Sequence, residues 1–376
     1  MTSLLNKIFS LPKNLNRKRS SFDNLKNEKS TSILFSAIED YSEISEIRYV
    51  GGCIRKILND EIIDDIDFAV NLKPNESIEA LKNNNIKYYE TGIDHGTITA
   101  FIENNKFEIT SLRKDINTDG RHAKVEFANN WFEDASRRDF TINSIYADID
   151  GNLYDPFNGK RDLELGKVEF IGDIEKRIKE DYLRILRYVR FFLNYSNQDH
   201  ELEIKKIIKQ NIAGIKKLSS ERLLDELKKL VISEGFFKIN DDSFCLEVIL
   251  LVFPELKNIY LFKKLNSHAL KCANSKDFIF LISLMIIDDS DNADYFLYKY
   301  HLSNNDKNRI NFLKKIFSKS IEKKTFSEKN LWQIMYLNNE DRLKDMINFQ
   351  IIKLKKIDKN LINLKNFFTN KEKPIF

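Results

Sequence analysis

The spacing of apolar residues changes along this chain, and the change marks two kinds of architecture. Ile47 to Val50 predicts a short strand, and the run from Cys53 to Leu58 predicts a helix after a glycine pair. Ile62 to Val70 alternates apolar and polar positions, as a half-buried strand does. Thr97 to Ile102 and Lys106 to Ser111 predict two more strands, joined across Glu103, Asn104 and Asn105 as a hairpin. Residues 112–135 are polar and contain Asp119-Gly120-Arg121, and they predict a long connection of the kind that is usually functional or mobile. From about residue 173 the period becomes helical and stays so to the end. Tyr182, Ile185, Leu186, Val189 and Leu193 fall on one helical stripe.

Composition agrees with this division. The 376 residues exceed one ordinary core, and only 11 glycines and 5 prolines argue for long helices rather than a turn-rich β fold. The three cysteines are too few and too widely spaced for a disulfide framework or a zinc site, so a cytoplasmic location is expected. No apolar run approaches the ~20 residues of a membrane span. Residues 1–30 are basic but lack an apolar signal core, and predict a loose basic arm.

The net charge of +4 conceals a strong asymmetry. Lys plus Arg against Asp plus Glu stand at 22 to 32 over residues 31–200 but at 17 to 8 over residues 301–376. An acidic front suits cations, and a basic tail suits a polyanion.

Asp65 and Asp67, two apart on an expected strand, project from one face, while Ile66 and Phe68 project from the other. Paired carboxylates repel unless a cation lies between them, and Mg²⁺ takes carboxylate oxygens together with substrate phosphates. Glu108, between Phe107 and Ile109, would bring a third carboxylate to the same sheet face. Upstream, Gly51 and Gly52 allow close backbone approach to a phosphate, and Arg55 adds a positive charge on the first helical turn.

Gly-Gly-x-x-Arg followed by Asp65-x-Asp67 resembles the opening motif of the class II tRNA nucleotidyltransferase and poly(A) polymerase family, a branch of the polymerase-β-like nucleotidyltransferases. Arg137-Arg138-Asp139-Phe140-Thr141-Ile142-Asn143 resembles its second motif, and Tyr154-Asp155-Pro156-Phe157-Asn158-Gly159 its third. Glu180-Asp181-Tyr182-Leu183-Arg184-Ile185-Leu186-Arg187 resembles the fourth, and Ser220-Glu221-Arg222 the fifth. The matches cover roughly residues 48–230. Lys56 and Ser144 depart from the usual aspartate and alanine, at positions that touch no expected ligand.

The resemblance implies an α+β fold: a polymerase-β-like head with a mixed sheet, then an all-α neck, body and tail. The expected division is an arm over 1–30, a head over 31–160, a neck over 161–235, and a body and tail over 236–376. It implies CCA addition to tRNA 3′ ends from CTP and ATP, with Asp65 and Asp67 holding Mg²⁺ and Glu108 supporting them. Arg138, Arg55, Asn143 and the Gly51-Gly52 backbone would bind the nucleotide.

Asp181, Arg184 and Arg187, spaced i, i+3 and i+6, are expected to form one polar stripe opposite the apolar one. A carboxylate only accepts and a guanidinium only donates, so Asp181 with Arg184 suits the Watson–Crick edges of cytosine and adenine and mismatches guanine and uracil. Arg187 and Arg190 would assist. Lys353, Lys355, Lys356, Lys359 and Lys365 would grip RNA phosphates.

A poly(A) polymerase is the alternative within the family, but residues 91–96 (Thr-Gly-Ile-Asp-His-Gly) lack the basic pair such enzymes carry there. A CC-only or A-only enzyme is a second alternative, against which 112–135 looks full-length. A non-catalytic RNA-binding protein would not need Asp65, Asp67, Arg138, Asp181 and Arg184 together. No His-Asp doublet supports an appended phosphohydrolase.

Overall fold

The computed structural model describes residues 22–63, 65–117, 124–318, 323–354 and 357–369. They divide into two compact units. One comprises residues up to Arg184 together with Tyr195–Asn211, and the other comprises Ile185–Asn194 together with the chain from Ile212 onward.

The first unit is built on a seven-stranded sheet. Its strands are β1 (Ile47–Val50), β2 (Asp67–Val70), β3 (Lys87–Gly92), β4 (Thr97–Ile102), β5 (Asn105–Ser111), β8 (Tyr146–Ala147) and β9 (Leu153–Tyr154), in the order β3-β4-β5-β2-β1-β8-β9. Only β2 and β5 pair in parallel; every other neighbouring pair is antiparallel. Helices α1 (Lys29–Glu39) and α3 (Pro74–Asn83) pack on one face with their apolar sides toward the sheet, and α2 (Gly52–Leu58) follows β1. The covered face carries an aromatic core in which Tyr49 lies 5.1 Å from Phe35 and 5.2 Å from Phe68, with Phe107 5.5 Å from Phe68. The mixed sheet and helices are the expected head.

Several local expectations needed revision. The Ile62–Val70 alternation yields a strand only from Asp67, because β1 and β5 supply pairing partners no further than that residue. Asp65 therefore lies on the exposed loop ahead of β2. Asn105 joins β5, leaving a two-residue turn in which Glu103 adopts φ 54°. Residues 112–135 are not one open loop. They contain a hairpin of β6 (Arg113–Asn117) and β7 (Lys124–Phe127), then helix α4 (Trp131–Ser136); 118–123 lie outside the described residues. Residues 1–21 of the expected arm also lie outside them, but its last part is no loose extension: Phe22 and Leu25 are buried, and Phe22 lies against Gly151.

Beyond the sheet come α5 (Gly159–Leu165), α6 (Ile174–Glu180), α7 (Leu183–Tyr195) and α8 (Leu202–Asn211). The apolar stripe of α7 is buried at Ile185, Leu186, Val189 and Leu193, whereas Tyr182 precedes the helix and is only partly covered. Asp181 is not on α7. It ends α6 in an extended conformation, φ −152° and ψ 104°, so the stripe expected of Asp181, Arg184 and Arg187 on one helix breaks at its first member. The second unit is helical throughout its described residues, from α9 (Ser220–Val231) to a last helix over Lys359–Thr369. None of the helices described is long and apolar enough to cross a membrane.

Candidate active site

Asp67 and Glu108 are cross-strand partners on the parallel pair β2–β5, which places two carboxylates side by side on the face opposite α1 and α3. Asp65 joins them from the loop. Burial, then the charges of Asp65 and Glu108, push the Asp67 carboxyl up to about 6, against a smaller opposing pull from Arg138. Such a cluster favours either a proton or a cation, and its donors are all hard carboxylate oxygens suited to Mg²⁺. Lys106 partly balances it through an ion pair to Glu108 at 3.0 Å.

Beside the carboxylates lies a connected set of polar groups that sequence reasoning had named only in part. Asp134 is 1% exposed and accepts from Arg137 Nε at 2.8 Å, Arg138 Nη2 at 3.0 Å, the Tyr146 hydroxyl at 2.7 Å and the Arg113 backbone N–H at 3.3 Å. Burial opposes its ionisation, but Arg138, Arg137 and the Tyr146 hydroxyl outweigh it and hold the carboxyl well below the usual range. Burial likewise disfavours the Arg138 charge, and its contacts with Tyr146 and Asp134 overcome this and keep the guanidinium firmly protonated. Tyr146 Oη accepts from Arg138 Nε at 3.0 Å, and the Tyr146 phenol is pushed up chiefly by burial. Neither Asp134 nor Tyr146 was picked out from the sequence. The available signal was the i, i+4 spacing of Asp134 and Arg138, at which a carboxylate and a guanidinium can pair across a turn of chain.

Arg138 Nη1 reaches the Asn143 carbonyl at 3.5 Å and lies 3.6 Å from where a Cβ on Gly51 would stand. Gly51 has φ +69°, so a side chain there would be strained as well as crowded. Asn143 accepts from Arg55 Nη1 and donates from Nδ2 to Asp139 at 2.9 Å. Arg55 itself is buried, its guanidinium 5.0 Å from the Tyr195 ring. The expected phosphate ligand is thus an internal strut that ties α2 to the turn after α4. The third motif is also structural in this fold. Asp155 accepts from the backbone N–H groups of Gly159 and Lys160 and caps α5, while a Cβ on Gly159 would stand 2.1 Å from the Thr141 carbonyl oxygen.

In the fourth motif, Asp181 Oδ1 accepts from the Leu183 N–H at 3.1 Å and so starts α7. Arg184 donates through Nη1 to Glu180 at 2.8 Å and to the Arg177 carbonyl at 2.7 Å. Arg187 and Arg190 belong to the second unit, where Arg190 pairs with buried Glu226 at 2.5 Å and lies 4.3 Å from the Phe191 ring centre. Of the expected tail lysines, Lys353 and Lys359 are exposed, and Lys355 and Lys356 lie outside the described residues. Lys365 turns inward, with Nζ 3.1 Å from Cys272 Sγ.

Residues 47–169 match the family model described as the poly(A) polymerase head domain. This stretch, about a third of the chain, is similar to the head domain of that family. The head's relatives are consistent in name. Human mitochondrial CCA tRNA nucleotidyltransferase 1 is 46% identical over 193 residues, covering 50% of this chain and 44% of that protein. A CCA-adding enzyme of Staphylococcus haemolyticus is 32% identical over 279 residues, covering 72% of this chain and 65% of its own. The chain thus spans somewhat under half of the human relative it matches. Among solved structures, the Bacillus stearothermophilus CCA-adding enzyme in complex with CTP superposes with TM-score 0.69 at 19% identity, over 90% of this chain and 81% of that one. A tRNA nucleotidyltransferase complexed with a primer tRNA and an incoming ATP analog gives 0.66 at 21% identity, over 89% and 96%. The fold of the head family therefore continues into a helical remainder that these structures share.

Proposed function

We propose that the chain adds C, C and A to the 3′ end of tRNA from CTP and ATP without a nucleic-acid template. The observation that carries this reading is the Asp65, Asp67 and Glu108 cluster beside Arg138, inside a head similar to this family's. The relatives' names and the CTP and tRNA ligands of the neighbouring structures support the same reading. Asp65 and Asp67 would hold Mg²⁺, which when bound activates the attacking 3′-hydroxyl and neutralises the triphosphate and leaving pyrophosphate.

The remaining work falls to this chain's own residues. Arg138, fixed by Asp134 and Tyr146, supplies a pre-oriented positive charge for the triphosphate, and Asn143, Arg55 and the Gly51-Gly52 turn hold that edge of the site rigid. Asp181 and Arg184 select the base. Both bonds of Arg184 use Nη1, which leaves its Nε and Nη2 donors for a base edge. Arg187 and Arg190 assist from α7, and the exposed Lys353 and Lys359 contribute to holding RNA. The arm, head, neck and body division belongs to this reading. So does a cytoplasmic location, supported by three buried cysteines that are joined in no disulfide.

Incubating the purified protein with tRNA lacking its last three, two or one nucleotides, with each nucleoside triphosphate in turn, separates the possible products by length. Completion to CCA and no further is expected; long adenylate tails or arrest after CC would refute the reading. Asp181→Ala is expected to raise UTP and GTP incorporation relative to CTP and ATP by about tenfold or more, because the acceptor that rewards an exocyclic amine is gone. Single-turnover rates with all four triphosphates measure this, and an unchanged ratio would remove Asp181 from base selection.

A further inference from the structure

The sheet face that carries the carboxylates does not end at Glu108. Thr99 pairs with Glu108 across β4–β5, and Tyr89 pairs with Thr99 across β3–β4, so Asp67, Glu108, Thr99 and Tyr89 form one cross-strand row. Residues in such a row project from the same face, and three strand spacings put Tyr89 about 14 Å from Asp67. Residues of the opposite parity, Ile98, Ala100, Phe107 and Ile109, are buried on the face that α1 and α3 cover.

At the far end of this row the sheet presents aromatic rings where an edge strand ordinarily presents polar groups. Tyr89 is 48% exposed and Phe101 36%, and their rings meet edge to face at 5.1 Å. Lys87 stands opposite Phe101 with its ammonium 5.3 Å from the Tyr89 ring centre, and Lys106 stands opposite Phe101 from the other side. Thr91 and Thr99 hydroxyls, 2.7 Å apart, fix the neighbouring backbone. Exposed rings flanked by ammonium groups suit stacked bases and their phosphates, and stacking on a side chain tolerates any base.

We propose that Tyr89 and Phe101 form a stacking platform for an unpaired base of the RNA substrate, upstream of the 3′ end that reaches Asp65 and Asp67, with Lys87 and Lys106 contacting its phosphates. The proposal rests on the reading of the carboxylates as the reaction centre, and it adds a contact that reaction does not require. Charge complementarity and continuity with the carboxylate face favour RNA over a protein as the occupant. The platform holds the single strand in line while its last nucleotide reacts.

The test uses two RNA hairpins, one blunt and one with a three-nucleotide 3′ extension carrying 2-aminopurine at each position in turn. Tyr89→Ala with Phe101→Ala is expected to weaken binding of the extended hairpin by about 5- to 100-fold, the loss typical of one stacked base, and to leave the blunt hairpin unchanged. The 2-aminopurine emission at one position should rise. Tyr89→Phe should bind like wild type, and Tyr89→Leu, which keeps apolar cover on β3 without a π face, should not. Equal affinity for the extended RNA, an equal loss on both RNAs, or full binding by Tyr89→Leu would overturn the platform. Failure of the wild-type protein to extend the hairpin strikes the functional reading instead. Extension by Tyr89→Ala with an unchanged KM for RNA strikes the platform alone.

Discussion

Asp65→Asn combined with Asp67→Asn is expected to abolish nucleotide incorporation while RNA binding stays within a few-fold of wild type. On the proposed reading the two carboxylates would supply the hard oxygens for the cation, and amide oxygens would lack the charge to hold it. Losing several kcal/mol of transition-state stabilisation slows turnover by about a thousandfold or more. Single-turnover extension of a labelled RNA measures the first effect, and anisotropy with the same RNA measures the second. Turnover at the wild-type rate would remove both residues from the reaction.

The same substitution has an opposite effect on stability, and the pH dependence gives its sign. The Asp67 carboxyl ordinarily titrates near 3.8 and is pushed up to about 6 in the folded chain. Between those values the native state binds the proton more tightly than the unfolded chain, so stability falls as pH rises through that window. Above about pH 6 the full penalty of three crowded carboxylates is present. The double variant is therefore expected to be more stable than wild type by about 1–3 kcal/mol at pH 7 in chelator, with the gain gone below pH 4. Added Mg²⁺ should stabilise only the wild type. Thermal melts at pH 4 and pH 7, with and without the ion, give the comparison. A variant less stable than wild type at pH 7 would contradict the crowding.

How far the sequence carried this site depended on whether an element's pairing was local. β1, β4 and β5 fall almost where their periodicity puts them, because each alternation is long enough to specify both faces. Glu108 could be placed beside the aspartates because the middle of β5 alternates, with Lys106, Glu108 and Thr110 on one face and Phe107 and Ile109 on the other. Asp65 could not, since the end of β2 is set by the reach of β1 and β5, which lie 15 and more residues from Asp65. Asp181 misled for a related reason. Its spacing to Arg184 is helical, but the Asp181 carboxylate takes the Leu183 N–H and ends one helix while starting the next. The β6–β7 hairpin was hidden in polar residues without clean alternation. The Tyr89–Phe101 contact depends on the register of an edge strand, which neither residue encodes alone.

Asp134→Ala is the substitution expected to damage the folded head most, although no motif singles this residue out. One carboxylate, 1% exposed, accepts from Arg137, Arg138, Tyr146 and the Arg113 backbone, so its loss takes from two arginines the only carboxylate they pair with among the described residues, and an acceptor from a buried hydroxyl. Breaking a buried charge network from one side costs about 3–5 kcal/mol, and for a unit of this size the melting temperature should fall by on the order of 10 °C. Because the Asp134 carboxyl is held below its ordinary value of 3.8, its contribution is complete above that pH and fades as pH falls further. The deficit of the variant should accordingly be full at pH 7 and shrink in acid, the reverse of the Asp67 case. Asp134→Asn keeps the shape and one acceptor oxygen, so it should recover part of the stability but leave Arg138 loosely held. With that variant the KM for CTP and ATP should rise more than the KM for RNA, since Arg138 faces the Gly51 turn rather than the Tyr89 end of the sheet. Equal changes in both constants, or a melting temperature for Asp134→Ala within a degree of wild type, would show that Arg138 is held in place by something other than this carboxylate.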